Sequence, residues 1–240
     1  MRYKIAYCGP AAIPEDFWTR WNFDPLLILM LVVLAIAIAR GRAQNVRAGW
    51  CAIALMILIF ISPLCALSSA LFSARVFHHV LLIAAVAPLL ALAFPLRRLA
   101  SPPLAVLVAI HATVLWLWHA PGPYTWGLGS IPAYWLMQTS LLASAWLLWR
   151  GIFAPTTQFG AAVAALIATT AQMGFLAALI VFAPRPLYPV HFLRTAAWGL
   201  SPLVDQQLAG LLMWVPATLP YLGVGLWLAW SNLRPVEPVA

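Results

Sequence analysis

Five histidines carry the clearest chemical signal in this sequence: His78, His79, His111, His119 and His191. Neutral imidazole is a ligand that copper, zinc and haem iron all accept, and a thioether beside it, such as that of Met213, shifts the preference toward copper. Spacing limits which of them can act together. His78 and His79 are sequence neighbours, about 100° apart on a helix, so only one points inward. His111 and His119, eight residues apart, are separated by about 12 Å along one helix and cannot share an ion. The plainer alternative applies to each of them: a lone histidine among apolar residues is ordinarily a hydrogen-bonded helix contact, and methionine ordinarily packs.

The elements that must position these groups follow from composition. The chain has 240 residues, 65% of them hydrophobic and only 8% charged. A soluble domain is about 45–50% apolar and about 25% charged, and one core of this size could not hide so much apolar surface. The sequence therefore reads as an all-α, polytopic transmembrane helical bundle in one domain spanning 1–240. Apolar runs of about 20 residues, broken by Pro, Gly and Arg, place about seven spans at 24–39, 48–67, 76–95, 103–119, 131–149, 159–183 and 207–230. The first is short and is expected to start earlier, at Trp21. Tryptophans near span ends, among them Trp18, Trp50, Trp118, Trp126, Trp149 and Trp230, read as interfacial anchors.

Basic residues set the expected orientation. Arg40, Arg42, Arg47, Arg97, Arg98, Arg150 and Arg234 fall in one set of connections, against Arg75, Arg185 and Arg194 in the other. Arg2, Lys4 and Arg20 of the N-terminal tail weaken this contrast, partly offset by Glu15, Asp16 and Asp24. The positive-inside rule gives N-out/C-in, with 1–20 an extracytoplasmic tail and 231–240 a cytoplasmic one. All five histidines then lie toward the outer side. Asp205, Gln206 and Gln207 open the seventh span there, and an ionisable group at a membrane boundary faces the bundle interior and finds a partner. The expectation is an upper tier of His78, His79, His119, Asp205, Gln206 and Gln207 over a lower tier of His111, Met213, Gln172 and Met173. Asp205 would orient a ligating imidazole, with the two glutamines beside it. Pro88, Pro216 and Pro220 free backbone carbonyls and offer a polar cavity between spans three and seven.

Other chemistries find no support. The formal charge of +8 is scattered rather than gathered on one face, which argues against a nucleic-acid partner. No glycine-rich phosphate loop and no serine near both a base and an acid is present, so the reading is not an enzyme. Cys8, Cys51 and Cys65 show no CxxC spacing and read as free, buried, small apolar residues. The N-terminus, with Glu15 and Asp16 where an apolar core would stand, is not a signal peptide.

Four segments carry a resemblance: SPLCALSSALFSARVFHHVLLIAAVAPLLAL, LWLWHAPGPY, GFLAALIVFAPRPLYP and WGLSPLVDQQLAGLLMWVPATLPYL, running from Ser62 to Trp230. They resemble the CtaG family of cytochrome c oxidase assembly proteins, most specifically in the WH-x-P-x-x-Y and D-Q-Q-x-x-G-x-x-M-W-x-P elements. The resemblance implies a role in maturing a haem–copper oxidase, with His79, His119 and Asp205 at the family's histidine and aspartate positions and Gln206, Gln207 and Met213 following. The chain departs from the pattern at Arg75, where a further histidine often stands, at Val204, where an acid often stands, and at Gln138, which is histidine in some members.

The expected function is a multi-pass assembly factor in the bacterial plasma (inner) membrane that handles or delivers copper at the extracytoplasmic side. Its metal ligands would be His79 and His119, then His78 and His111, with Met213. Partners would be oxidase subunits, the lipid bilayer and a periplasmic copper donor. Two alternatives stay open: a cofactor-free accessory or scaffold subunit of a respiratory complex, and a haem-b-binding membrane subunit with His79 and His119 as axial ligands.

Overall fold

The computed structural model describes residues 7–95 and 102–233. Among them the secondary structure is entirely helical. Helix α1 is Pro25–Ala39, α2 is Val46–Met56, α3 is Leu64–Ala70, α4 is Phe72–Leu81 and α5 is Ala87–Ala93. They are followed by α6 (Leu104–His119), α7 (Pro121–Gly129), α8 (Ile131–Ile152), α9 (Phe159–Val181), α10 (Pro202–Trp214) and α11 (Thr218–Leu233). Four helices start on a side-chain cap from their own N-cap residue: Asp24 for α1, Asn45 for α2, Ser130 for α8 and Ser201 for α10. These oxygens take N–H groups that the first helical turn leaves without partners. Asp24 caps at Pro25, so residues 21–24 are not helical and the expected start at Trp21 is wrong.

Among the described residues three helices are long and apolar enough to cross a bilayer: Phe72–Ala93, Phe159–Val181 and Pro202–Leu233. The number rises to five if the bent pairs Val46–Ile61 with Leu64–Ala70 and Leu104–His119 with Pro121–Gly129 are each one span. The remaining two of the seven expected ranges are also helical but fall short for different reasons. Helix α1 has only 15 residues, below the requirement of about 20. Helix α8 has 22 residues but carries Gln138, Thr139, Ser140, Ser144 and Arg150. Residues 120–130, expected as a loop, form α7, which leaves α6 at a 74° bend.

Pro63 and Pro88 are each preceded by a widened helical turn. Before Pro88 the helix widens into a π-turn, Leu82–Val86, a common way to accommodate a missing backbone donor. Within it the Ile83 carbonyl accepts the indole N–H of Trp149 at 2.9 Å. A second π-turn, Ile57–Ile61, precedes Pro63. There Asn22 donates its backbone N–H to Ile61 O at 2.8 Å and its side-chain amide to Phe60 O at 3.1 Å. A cavity of about 460 Å³ does exist, but it lies between α1, α2, α5 and α8 and is walled by Leu, Met, Phe and Trp side chains with Gln138. Two of the tryptophans read as anchors are instead core residues: Trp149 and Trp118 are buried, whereas Trp18, Trp50, Trp126 and Trp230 are exposed.

The cysteine expectation also needs correction. Cys8 and Cys65 form a disulfide with Cα atoms 5.3 Å apart, across 57 residues of sequence. Cys51 alone is free, and it is exposed rather than buried. No local spacing signals a bridge of this kind, because chain topology brings the two together. The disulfide holds the N-terminal segment against the bundle, where Tyr7 also stacks on Tyr134 with ring centroids 4.7 Å apart. Of the charged positions used for orientation, Arg2, Lys4, Arg97, Arg98 and Arg234 lie outside the described residues.

Helices α9 and α10 approach closely at Gly210. A Cβ there would stand 2.5 Å from Val181 Cγ2 and 2.9 Å from the Ala177 carbonyl oxygen. Small residues permit such backbone approach between helices in a membrane. Gly210→Ala is therefore expected to lower stability in detergent by about 1–3 kcal/mol through overpacking. Gly160→Ala, where nothing lies within 4 Å of the new Cβ, should be neutral or slightly stabilising because alanine favours the helix. Paired thermal unfolding curves check both.

Candidate functional site

The site is built on two helix breaks. The first falls at Leu71, whose extended backbone (φ −113°, ψ 136°) separates α3 from α4. The break leaves carbonyls at the end of α3 and N–H groups at the start of α4 without helical partners, and because Ser68, Ser69, Ala70, Phe72 and Ser73 are all buried, water satisfies neither. Leucine has no oxygen with which to cap α4. Asp205, 134 residues away on α10, supplies it: its carboxylate accepts from Phe72 N at 2.7 Å, Ser73 N at 3.1 Å and the Ser73 hydroxyl. The α3 end is met by donors. Arg75 Nε donates to Ser68 O at 3.2 Å, Arg194 Nη1 to Ser69 O at 2.7 Å and His191 Nδ1 to Ala70 O at 2.9 Å. Anion at the helix N-terminus and cations at the C-terminus is also the arrangement that the helix dipoles favour.

The second break falls after His119, at Ala120. Pro123 cannot donate to the carbonyl four residues before it, which is that of His119. Tyr188 OH donates to it instead at 2.7 Å. Tyr188, His191 and Arg194 all belong to the connection before α10, so one segment stitches both breaks. Because Ala70 O can only accept, His191 carries its proton on Nδ1 and presents Nε2 as an acceptor. Tyr124 OH therefore donates to His191 Nε2, at 2.8 Å. His191 is thus a buried link between α3, α7 and the connection before α10.

Between the two breaks sit His79 and His119. Their ring centroids are 5.5 Å apart with planes at 81°, and both residues are buried. His119 Nδ1 lies 2.7 Å from Leu115 O, so Nδ1 holds the proton and Nε2 presents a lone pair. That Nε2 has no hydrogen-bond partner among the described residues. His79 Nε2 is 3.3 Å from the Gln138 side-chain amide, and its Nδ1 has no partner among the described residues. The two ends of an amide are nearly alike in shape. As placed, the amide nitrogen donates to Nε2 and the His79 proton sits on Nδ1; with the amide ends exchanged, Nε2–H donates to the oxygen and Nδ1 presents its lone pair. The arrangement offers two neutral imidazole donors at close range, one of them oriented by Gln138.

The other expected site residues are placed differently. His78 is buried beside His79, with centroids 5.9 Å apart, but its ring meets Phe60 edge-on at 4.8 Å. His111 binds Ser144 Oγ through Nδ1 at 3.0 Å, and its Nε2 has no partner among the described residues. Met213 is buried on α10, and Met173 on α9. Gln172 accepts from the Trp116 indole at 2.9 Å. Asp205 does not orient an imidazole; its carboxylate is taken by the start of α4. Gln206 likewise accepts from Leu187 N at 2.6 Å and donates to Ile180 O at 3.1 Å, while Gln207 is only half-buried. Among the described residues no three of His, Cys, Asp and Glu converge as a metal-binding group.

Comparison with known families decides the affiliation. The model of the cytochrome c oxidase caa3 assembly factor family matches residues 28–234. The chain belongs to that family. Comparison with curated proteins and with solved structures returned no match. The caa3 assembly factor family match covers both helix breaks, Asp205 and all five histidines. It leaves out the N-terminal segment that brings Cys8 to Cys65.

Sequence reasoning missed four contributors here: the Cys8–Cys65 bridge, His191, Tyr124 and Tyr188. Tyr124 lies in the WH-x-P-x-x-Y element, Tyr188 and Cys65 in two other segments that carry the resemblance, and His191 among the five histidines, but no local pattern shows what any of them bonds.

Two outcomes are expected of this assembly factor. Asp205→Ala leaves the buried Phe72 and Ser73 N–H groups without an acceptor and should cost about 3 kcal/mol in thermal or denaturant unfolding, with Asp205→Asn losing less. The second concerns acid. Burial, and then the charges of Arg75 and Arg194, outweigh the Ala70 hydrogen bond and push the His191 pKa down from its ordinary 6.5 to about 3. Between those values the unfolded chain binds a proton that the folded one does not, so stability falls as pH drops below 6.5. His191→Gln should flatten that part of the pH–stability curve while lowering the neutral-pH plateau.

Proposed function

We propose that this member of the caa3 assembly factor family handles Cu(I) as cargo during maturation of a haem–copper oxidase, at the extracytoplasmic side of a bacterial plasma membrane. His79 and His119 are the exchangeable ligands. The observation that carries this reading is the pair itself: two buried imidazoles 5.5 Å apart, each with one ring nitrogen free of protein partners among the described residues. Copper(I) accepts low coordination numbers and soft or borderline ligands, which suits two imidazoles with no third protein ligand. A carrier must release its ion, and an incomplete ligand set favours release. Gln138 positions His79 as a hydrogen-bonding neighbour does for metal-binding histidines generally.

Sidedness is supported by an observation independent of the arginine count. Disulfides persist where the compartment is oxidising, and the Cys8–Cys65 bridge lies at the end of the bundle that holds Leu71, His191 and the start of α10. That end is the extracytoplasmic one in this reading. With α1 and α8 counted beside the five apolar or bent spans, the chain crosses seven times, N-out and C-in, as a single domain without enzymatic activity. Its partners are oxidase subunits and a periplasmic copper donor.

The scaffold reading draws on the absence of a three-ligand cluster among the described residues, and the haem-b reading on the same two histidines. One set of measurements separates all three. Detergent-purified protein loaded with Cu(I) under reducing conditions should bind close to one equivalent. His79→Ala or His119→Ala should lower affinity by at least about tenfold, Gln138→Leu by about tenfold, and His111→Ala by less than about twofold. No bound copper in a folded wild type, with oxidase copper content unchanged in His79→Ala cells, would favour the scaffold. A Soret band in the purified protein would favour haem.

A further inference from the structure

Arg75 is a buried charge with no acidic partner among the described residues. It is fully buried, and guanidinium does not give up its proton in a protein, so the cluster carries a fixed positive charge. A buried ion is costly unless paired, and pairing usually means an opposite charge with hydrogen bonds to match. Arg75 receives only part of this. Its Nε donates to Ser68 O at the end of α3, and its guanidinium carbon lies 5.2 Å from the centre of the Tyr134 ring. Both terminal amines, Nη1 and Nη2, have no hydrogen-bond partner among the described residues.

The acid that might have served is committed elsewhere. Asp205 spends both oxygens on Phe72, Ser73 and the Ser73 hydroxyl. The other groups beside Arg75 are imidazoles and phenols, His78, His79, His191, Tyr124 and Tyr134, with the Tyr124 and Tyr134 hydroxyls near the guanidinium but outside hydrogen-bonding geometry to Nη1 and Nη2. None is an anion at neutral pH. Tyr124 gives its own hydrogen to His191. Both ring nitrogens of His78 and the hydroxyl of Ser69 are also buried without partners among the described residues. These groups add N–H and O–H donors to a cluster that already holds the Arg75 and Arg194 cations.

We propose that the Nη1 and Nη2 edge of Arg75, between α4, α7 and α8, is a binding site for a small monovalent anion, a carboxylate or a halide. The charge is set by arithmetic: one guanidinium offsets one negative charge, whereas a dianion would leave a net buried charge as costly as the first. The paired N–H groups of guanidinium match the two oxygens of a carboxylate, and a halide satisfies the same donors less directionally. The site requires no metal and stands whether or not His79 and His119 carry copper.

The test uses the metal-free, full-length protein in detergent, titrated with sodium formate and, separately, with sodium bromide. General salt effects change thermal stability nearly linearly with concentration, whereas filling one site saturates. The wild type should show a saturable rise in unfolding midpoint of about 3 °C, and Arg75→Gln only the linear remainder. Saturation with formate alone assigns a carboxylate site, and with both salts a general monoanion site; either supports the proposal. Linear responses to both salts in the wild type overturn it, as does an Arg75→Gln variant that saturates in parallel. Should Arg75→Gln fail to fold, Arg75→Lys keeps the charge but loses the paired donors. Weaker formate than bromide saturation in that variant supports the site, and linear wild-type responses still refute it.

Discussion

The break at Leu71 is the constraint on which the rest of this bundle depends. A residue in extended conformation between two helices exposes the carbonyl end of one and the amide end of the other, and burial of this break keeps water from both. Neither neighbour in sequence can cap them. The groups that do come from α4 itself, from the connection before α10 and from the first turn of α10. Satisfying one break therefore fixes the position of α10 against α4 and folds the connection before α10 over both. The close approach of α10 to α9 at Gly210 completes the same arrangement from the other face.

The two imidazoles of interest are placed by this scheme rather than by contacts of their own. His79 lies two turns into the helix that Asp205 caps, and His119 ends the helix whose last carbonyl Tyr188 takes. Each ring is held by one hydrogen bond, to Gln138 or to Leu115 O, and keeps its other nitrogen free among the described residues. Buried polar atoms without partners are uncommon in native proteins and generally mark a role other than stability. Here they gather around His78, His79, His119, Gln138 and Arg75, while the surrounding polar groups, Asp205, Gln206, His191 and Tyr188, are satisfied. The molecule thus separates polar residues that hold the fold from polar residues left available.

Much of the helical layout was legible in the sequence, because lipid imposes a simple rule on composition. Runs of apolar residues near 20 long must be helices, and all seven ranges read this way are helical. The resemblance carried by the WH-x-P-x-x-Y and D-Q-Q elements agrees with the family assignment. The proximity of His79 and His119 followed from depth along two helices. What hydropathy could not reveal is how the breaks are resolved. An aspartate at a membrane boundary invites a histidine partner, yet the stronger demand came from two backbone N–H groups that only a folded chain exposes together. Trp149 has the position of an interfacial anchor but sits in the core, because a π-turn before Pro88 offers it a carbonyl.

The sequence alone determined that this chain is helical, rich in membrane-length apolar segments and a member of an oxidase assembly family, since these depend on composition and on local motifs. Tertiary structure decided the rest: the Cys8–Cys65 bridge, the occupation of Asp205, the role of His191 and the isolation of Arg75. Each depends on partners 57 to 133 residues apart in sequence or on a charge left over after other groups had paired. Such matters are settled by competition among all buried donors and acceptors at once, and no window of local sequence contains the competitors.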